Sequence, residues 1–229
     1  MKTKVLGLLT VLLLSFAAAA HASVEPTGKI EYFGMLDYYF RGDIDKKVLE
    51  DYDRAVDALG NASYDSSTTG GIGGRIGLRK PLANDRFDIG ASASLVAGPR
   101  IEVNFVDNTA PPGTVHEKIT TLYQRLMAEA GMRFRASERA WFRIGGAAGI
   151  GRGAAKDQFD GTGFYAGSQS TTRHDTGFVW EITPSLLIAT ERAKLEIGVR
   201  YAVFPKIKET SNSVALDWKT FGVFFGAAF

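Results

Sequence analysis

The chain has no cysteine, which excludes a disulfide framework, a lipoprotein anchor and thiol chemistry. Its formal net charge is only +2, too small an excess to draw a polyanion. Lys2 and Lys4 are the only charges in the first 22 residues, and beyond them 25 basic residues meet 25 acidic ones. No nucleic-acid partner is indicated. No apolar run after residue 22 reaches the ~20 residues a spanning helix needs. No Pro- or Ser-rich linker and no fixed-period repeat divides the chain, so a single domain is expected over 23–229. Only His116 and His174 remain as histidines in that stretch.

The first 22 residues read as a cleaved secretory signal peptide. Lys2 and Lys4 form a positive start, Val5 to Ala20 is apolar apart from Gly7, Thr10 and Ser15, and Ala20-His21-Ala22 fits the cleavage pattern. The alternative, an N-terminal membrane helix, is disfavoured by the short run. If the remaining chain enters a membrane it must do so as a closed barrel, because only helices and barrels satisfy their backbone hydrogen bonds in lipid.

Eight segments alternate with period two, the signature of half-buried strands. They span 29–41, 71–80, 86–95, 121–136, 141–150, 176–189, 194–204 and 214–229. The third is expected to continue past Pro99 with Ile101, Val103 and Phe105 on its apolar parity. Pro184 lacks a ladder donor, so a bulge is expected there. Charged residues keep mostly to one parity and large apolar residues to the other. That pattern suits a membrane barrel with its apolar side outward, and equally a soluble sandwich with its apolar side inward. Two features favour the barrel. Connections alternate between tight (81–85, 137–139, 190–192) and long (42–70, 107–118, 151–175), with 205–213 intermediate. Aromatics gather near strand ends: Phe134, Trp141 and Phe142 by a short turn, and Tyr38, Phe40, Phe178, Trp180 and Tyr201 by the long connections.

Eight strands leave an interior that side chains can fill. The inward parity holds Glu31, Asp37, Asp88, Glu129, Glu181 and Glu196 against Arg75, Arg79, Arg125, Arg133, Arg135, Arg143 and Arg200. Buried charges must be paired, so a salt-bridge network along the axis is expected, with Glu129 between Arg125 and Arg133. The last strand carries Phe221, Val223, Phe225, Ala227 and Phe229 on one face. In 42–70, Leu49, Tyr52, Val56 and Leu59 have helical spacing between a potential cap at Asp45 and Gly60. A short amphipathic helix over the mouth or in the headgroup layer is expected. The acids of this loop do not follow EF-hand spacing, so no metal site is assigned.

With these features the chain resembles the small bacterial outer-membrane β-barrel families, nearest to the eight-stranded domain of OmpA and to OmpX-like proteins. The resemblance implies a monomeric barrel in the outer membrane, in contact with outer-membrane lipid and lipopolysaccharide. It also implies delivery by periplasmic chaperones to the barrel-assembly machinery, which reads the terminal Phe229 strand. The implied role is structural, adhesive or in envelope integrity, without catalytic residues or a cofactor. Two other readings stay open. One is a small channel similar to OmpW-type proteins, with Pro99 and Pro184 marking a lateral opening. The other is a lipid A-modifying enzyme using His174-Asp175 with Ser168 or Ser170. The glycine clusters at 70–74 and 145–153 lack the context of a phosphate loop.

Overall fold

A computed structural model describes residues 29–82, 85–109, 111–210 and 213–229; residues 1–22, read as a signal peptide, lie outside them. The described chain forms nine strands and one helix. They are β1 (Glu31–Tyr39), α1 (Lys46–Leu59), β2 (Ala62–Thr68), β3 (Gly71–Leu82), β4 (Phe87–Asp107), β5 (Gly113–Arg135), β6 (Ala140–Gly163), β7 (Gly167–Ala189), β8 (Lys194–Val203) and β9 (Lys219–Ala228). Eight of the strands close a ring, β1-β3-β4-β5-β6-β7-β8-β9 and back to β1, with every pairing antiparallel. The chain is therefore an eight-stranded antiparallel β-barrel with a short helix in its first long connection. The ladder between β1 and β9 ends on reciprocal backbone bonds of Tyr32 and Phe229, at 3.0 and 2.8 Å.

The outer surface explains the parity of the sequence. Leu36, Ile76, Ile89, Leu126, Ile144, Ile182, Ile197, Val223 and Phe225 all stand exposed on it. On β5 the unbroken apolar face runs from Leu126 to Phe134. At a rise of ~3.3 Å per residue and a tilt of ~40°, those eight steps span about 20 Å, close to the ~25 Å apolar band of a membrane barrel. A soluble protein rarely exposes so large a patch, so the band is the membrane-spanning part. Tyr38 and Phe40 (ring centroids 5.6 Å apart), Tyr201 and Phe221 (5.0 Å) and Trp180 and Tyr201 (5.7 Å) line its upper edge.

Strands β4 to β7 run well past the band. Within the stretches 107–118 and 151–175, read as long loops, residues 113–118, 151–163 and 167–175 are instead strand, paired from Gly113↔Gly163 and Gly161↔Gly167 downward. Alternation is faint there because the outward residues become polar. Residues 62–68, also read as loop, form β2, which pairs with Ile101–Asp107 of β4 outside the ring. Beyond the band the ring is thus replaced by a sheet of β2, β4, β5, β6 and β7. The last strand begins at Lys219, not at 214; before it Ile207↔Leu216 is an isolated bridge.

The irregularity in the wall sits at Pro99. The β4–β5 register shifts by one between Ala97↔Leu122 and Arg100↔Thr120. Gly98 and Pro99 together face Thr121, whose hydroxyl donates to the Pro99 carbonyl at 3.0 Å. A bulge of one residue swaps the faces beyond it. Ile101, Val103 and Phe105 consequently point inward and are buried, contrary to the expectation that they extend the outward face. The bulge expected at Pro184 is absent. Pairing with β8 lapses at Thr183 and Pro184, but Ile182↔Tyr201 and Ser185↔Gly198 keep one register. The missing donor is absorbed without an extra residue.

Helix α1 has the expected limits and lies over the mouth. Val48 is buried, Leu49 and Tyr52 pack partly, and Leu59 stays exposed. Gly60 ends it in the left-handed region (φ 70°), donating its N–H to Val56. Asp45 does not cap the helix with its side chain. It accepts from Thr68 at 2.7 Å and pairs with Arg41 at 2.5 Å, tying the helix start to β1 and β2.

Candidate functional site

The interior of the band is charged. Glu31, Asp37, Asp88, Glu129, Glu181 and Glu196, and Arg75, Arg79, Arg125, Arg133, Arg143 and Arg200, all lie inside and are buried. In the tier nearest the termini, Asp88 receives Arg143 at 2.7 Å and Arg133 at 2.8 Å. Glu31 receives Arg133 at 2.8 Å and also Lys194, which shares the parity of Glu196 and Arg200 but is absent from the expected interior set. In the middle tier Arg79 reaches Glu196 at 2.9 Å, and Ser185 donates to the other Glu196 oxygen at 2.7 Å. In the upper tier Glu181 is the hub. Arg75 grips both its oxygens at 2.5 Å, Arg125 reaches it at 3.1 Å and Arg200 at 3.4 Å. Arg200 also pairs with Asp37 at 3.0 Å. The two-pronged guanidinium suits such carboxylate contacts.

Two expected details differ. Glu129 does not bridge Arg125 and Arg133 on its own strand; its partners are Arg75 (3.3 Å) and Arg79 (3.4 Å) on β3, two strands away round the ring. Residues four apart on one strand are separated by ~13 Å of backbone, whereas inward side chains of strands a quarter turn apart meet near the axis of a narrow barrel. Arg135 is not an interior residue. It is exposed at the rim, donating to the Ser137 carbonyl at 3.2 Å.

Small residues make room for the network. A Cβ on Gly145 would lie 2.2 Å from an Arg143 nitrogen, and one on Gly131 would lie 2.6 Å from the same guanidinium. Rings fill the remaining space: Arg79 lies 4.5 Å over Phe33, Arg200 4.3 Å over Phe224 and Arg125 4.6 Å over Phe204.

Above Glu181 the interior changes from charged to apolar. The Tyr39 hydroxyl accepts from Arg125 at 2.7 Å, while its ring meets Phe204 and Trp218. Phe204 and Trp218 stack at 4.1 Å, with Tyr123 beside them. Ile44 and Val48 from the α1 region, Val96, Ile101, Val103 and Ile119 from the sheet, and Ile207 and Leu216 from the 204–218 segment complete this core. The reversal has a simple cause: the wall faces lipid below and water above, so its inner side is polar below and apolar above.

Between α1 and the 204–218 segment lies a cleft of about 470 Å³, lined by Val48, Asp51, Tyr52, Ala55, Glu117, Glu209 and Val214 among others. Tyr52 donates to Glu117 at 2.7 Å. Burial raises the Glu117 carboxyl and the nearby Asp157 adds to this, while the Tyr52 bond opposes it. Asp157 itself is paired with Arg173 at 3.0 Å. Tyr52 is marked in the sequence by its helical spacing, whereas the parity signal fades in the strand extensions that carry Glu117, Asp157 and Arg173.

Both histidines are exposed on the outer face, and His116 lies in one cross-strand row with Asp160 and Ser168. His174 is exposed on the outward parity of β7 with Ser168 and Ser170, while Asp175 lies on the opposite parity. His116 is exposed and its Nδ1 lies 2.7 Å from Asn104. Among the described residues no group of acids and histidines is arranged to hold a metal. On the last strand Phe221, Val223 and Phe225 are exposed on the outer surface and Phe229 is half-buried. Ala227 shares their parity but is buried between Leu195 and Gly34.

No protein-family model and no curated protein sequence matches the chain. Among solved structures it is similar to Neisserial surface protein A, with a TM-score of 0.45 at 12% identity, covering 89% of this chain and 98% of that one. It is also similar to Ail, the attachment invasion locus protein of Yersinia pestis, with a TM-score of 0.41 at 14% identity, covering 88% and 97%.

Proposed function

We propose that this protein is a non-enzymatic outer-membrane surface protein, with a sealed barrel as its anchor and the sheet beyond the band as its working part. The observation that carries the reading is the double closure of the interior. Buried ion pairs fill the barrel from Glu31 to Glu181, and the Tyr39, Phe204 and Trp218 rings with α1 cover them. A filled interior suits an anchor and not a pore. In this reading residues 1–22 are removed on export, and periplasmic chaperones pass the chain to the barrel-assembly machinery. That machinery recognises the face of Phe221, Val223, Phe225, Ala227 and Phe229. The termini and the tight 136–139 and 190–193 connections lie on the periplasmic side. The β2, β4–β7 sheet and α1 lie outside the cell, where they serve adhesion or envelope integrity.

The absence of cysteine makes the orientation directly testable. Phe164, at the tip of the β6–β7 hairpin, is 70% exposed. A Phe164→Cys variant should react with a membrane-impermeant maleimide on intact cells, and a Ser137→Cys variant should not. The purified barrel should give no steady conductance in planar bilayers. Labelling of position 137 alone, or regular conductance steps, would overturn the reading.

A further inference from the structure

The outward face of β5, β6 and β7 changes character within two residues. Leu126, Ile150 and Phe178 form one row of the lipid band, paired across the strands. The next row is Gln124, Arg152 and Thr176. The third is Leu122, Ala154 and His174, and the fourth is Thr120, Lys156 and Thr172. Ala154 is thus the centre of a small cationic ring. His174 is its direct cross-strand neighbour, and Arg152 and Lys156 lie two residues to either side. Diagonal neighbours of this kind are roughly 7–8 Å apart, so the Arg152, Lys156 and His174 side chains can converge over the Ala154 methyl. Thr120, Thr172, Thr176 and Gln124 surround them with hydrogen-bonding groups.

Two observations separate this ring from ordinary surface charge. Among the described residues neither Arg152 nor Lys156 has an ion-pair partner. Of the acids beyond the band on β6 and β7, Asp157 and Asp175 lie on the inward parity, where Arg173 and Lys208 engage them; Asp160 shares the outward parity but stands four residues beyond Lys156, paired across the strands with His116 and Ser168. By contrast Arg41 and Lys219, next to the band on the far side of the barrel, are matched by Asp45 and Asp217. The ring is also continuous with the lipid-facing surface. Arg152 is two residues beyond Ile150, which puts its backbone roughly 5 Å above the last full apolar row. That is the level of headgroup phosphates, not of the hydrocarbon.

We propose that the Arg152–Ala154–Lys156 face with His174 binds the phosphate group of an outer-leaflet glycolipid. The acyl chains lie against Leu126, Ile150 and Phe178, and the sugar lies against the polar rows above. This rests on the orientation given under Proposed function, since only the outer leaflet meets this face. Charge complementarity and the shared surface with the apolar band favour a lipid over a soluble anion.

The test uses the full-length mature barrel refolded in detergent micelles, titrated with diphosphoryl lipid A and with its dephosphorylated form. Complexes are counted by native mass spectrometry. Each cation near a charged lipid surface contributes about a factor of five, so R152S/K156S should bind diphosphoryl lipid A roughly thirtyfold more weakly. Wild type should lose a similar factor on the dephosphorylated lipid. A154E, which keeps both cations and places a carboxylate between them, should weaken binding as well. Unchanged gel mobility before and after boiling, relative to wild type, reports a folded barrel. If the double variant fails to refold, R152S and K156S singly should each lose about fivefold. Equal binding by wild type and the refolded variants overturns the proposal, and so does full displacement of the lipid by millimolar inorganic phosphate. Maleimide labelling of F164C on cells separates the two readings. Labelled cells with no effect of the variants reject only the phosphate site, whereas unlabelled cells reject the orientation itself.

Discussion

Replacing Glu181 by glutamine removes one charge from the centre of the barrel while leaving its volume almost unchanged. The carboxylate is fully buried and serves three arginines: Arg75 on both oxygens at 2.5 Å, Arg125 at 3.1 Å and Arg200 at 3.4 Å. The amide keeps one acceptor and turns two donors toward guanidinium groups that also only donate. Breaking a buried ion pair from one side costs about 3–5 kcal/mol, because the abandoned charge stays desolvated. Glu129→Gln is the internal comparison. Its contacts at 3.3 and 3.4 Å are longer, and a hydrogen bond to a charged group contributes only about 1.5–3 kcal/mol. The assay is reversible urea unfolding in lipid vesicles, followed by tryptophan fluorescence. With a slope of ~1–3 kcal/mol/M, the Glu181→Gln midpoint should fall by roughly 1–5 M, and that of Glu129→Gln by less. In a double-mutant cycle Arg75→Gln and Glu181→Gln should couple by more than ~1 kcal/mol. The reasoning is refuted if both glutamine variants unfold with the wild type, or if their order is reversed.

Three further outcomes are expected. Gly145→Ala crowds Arg143 and should lower stability by about 1–3 kcal/mol in the same unfolding assay; Gly146→Ala, whose added methyl meets only ordinary contact at 3.6 Å, should be nearly silent. Trp218→Ala removes the centre of the upper core, a loss of about 3–5 kcal/mol. Limited proteolysis should then open the 204–218 segment and α1 while the barrel keeps its heat-shifted mobility; simultaneous loss of both would contradict two separately stabilised tiers. Glu117 is the pH-sensitive contact. Its carboxyl is raised by burial in the folded state, so folding favours the protonated form. The stability of the α1 cap should therefore be greatest below the ordinary carboxylate range and decline as pH rises through the raised value. Amide exchange of α1 between pH 4 and 7 measures this, and Glu117→Gln should flatten the profile; an equal slope in both proteins would rule Glu117 out as its source.

The legible and illegible parts of this chain divide at the edge of the lipid band. Within the band one parity must be apolar and the other must pack into a narrow interior, so Leu126 to Phe134 and Leu195 to Val203 can be read by eye. Beyond it both sides of the sheet have freedom. The outward residues of β7, from Ser168 to Thr176, look like those of a polar loop, and β2, with Ser63, Asp65 and Ser67, carries no apolar stripe at all. The bulge at Gly98-Pro99 misled the parity count in a different way. Ile101, Val103 and Phe105 keep the outward phase on paper, but one unpaired residue turns all three into the upper core. Pro184, the other candidate, is accommodated by a lapse in pairing, since one missing N–H does not require an extra residue.

Period, connection lengths and the placement of aromatics by themselves determined an antiparallel barrel of eight strands, a helix at 46–59 and the inward charges apart from Arg135 and Lys194. These follow from local rules: alternation, turn residues, and the absence of any helix able to span lipid. Tertiary structure alone decided which arginine meets which carboxylate, because those contacts cross the barrel between residues such as Arg75 and Glu181, 106 positions apart. It also decided where the charged filling stops and the apolar core begins. That boundary depends on whether lipid or water lies outside the wall at each height, and no residue carries that information until the strands are closed, tilted and in register.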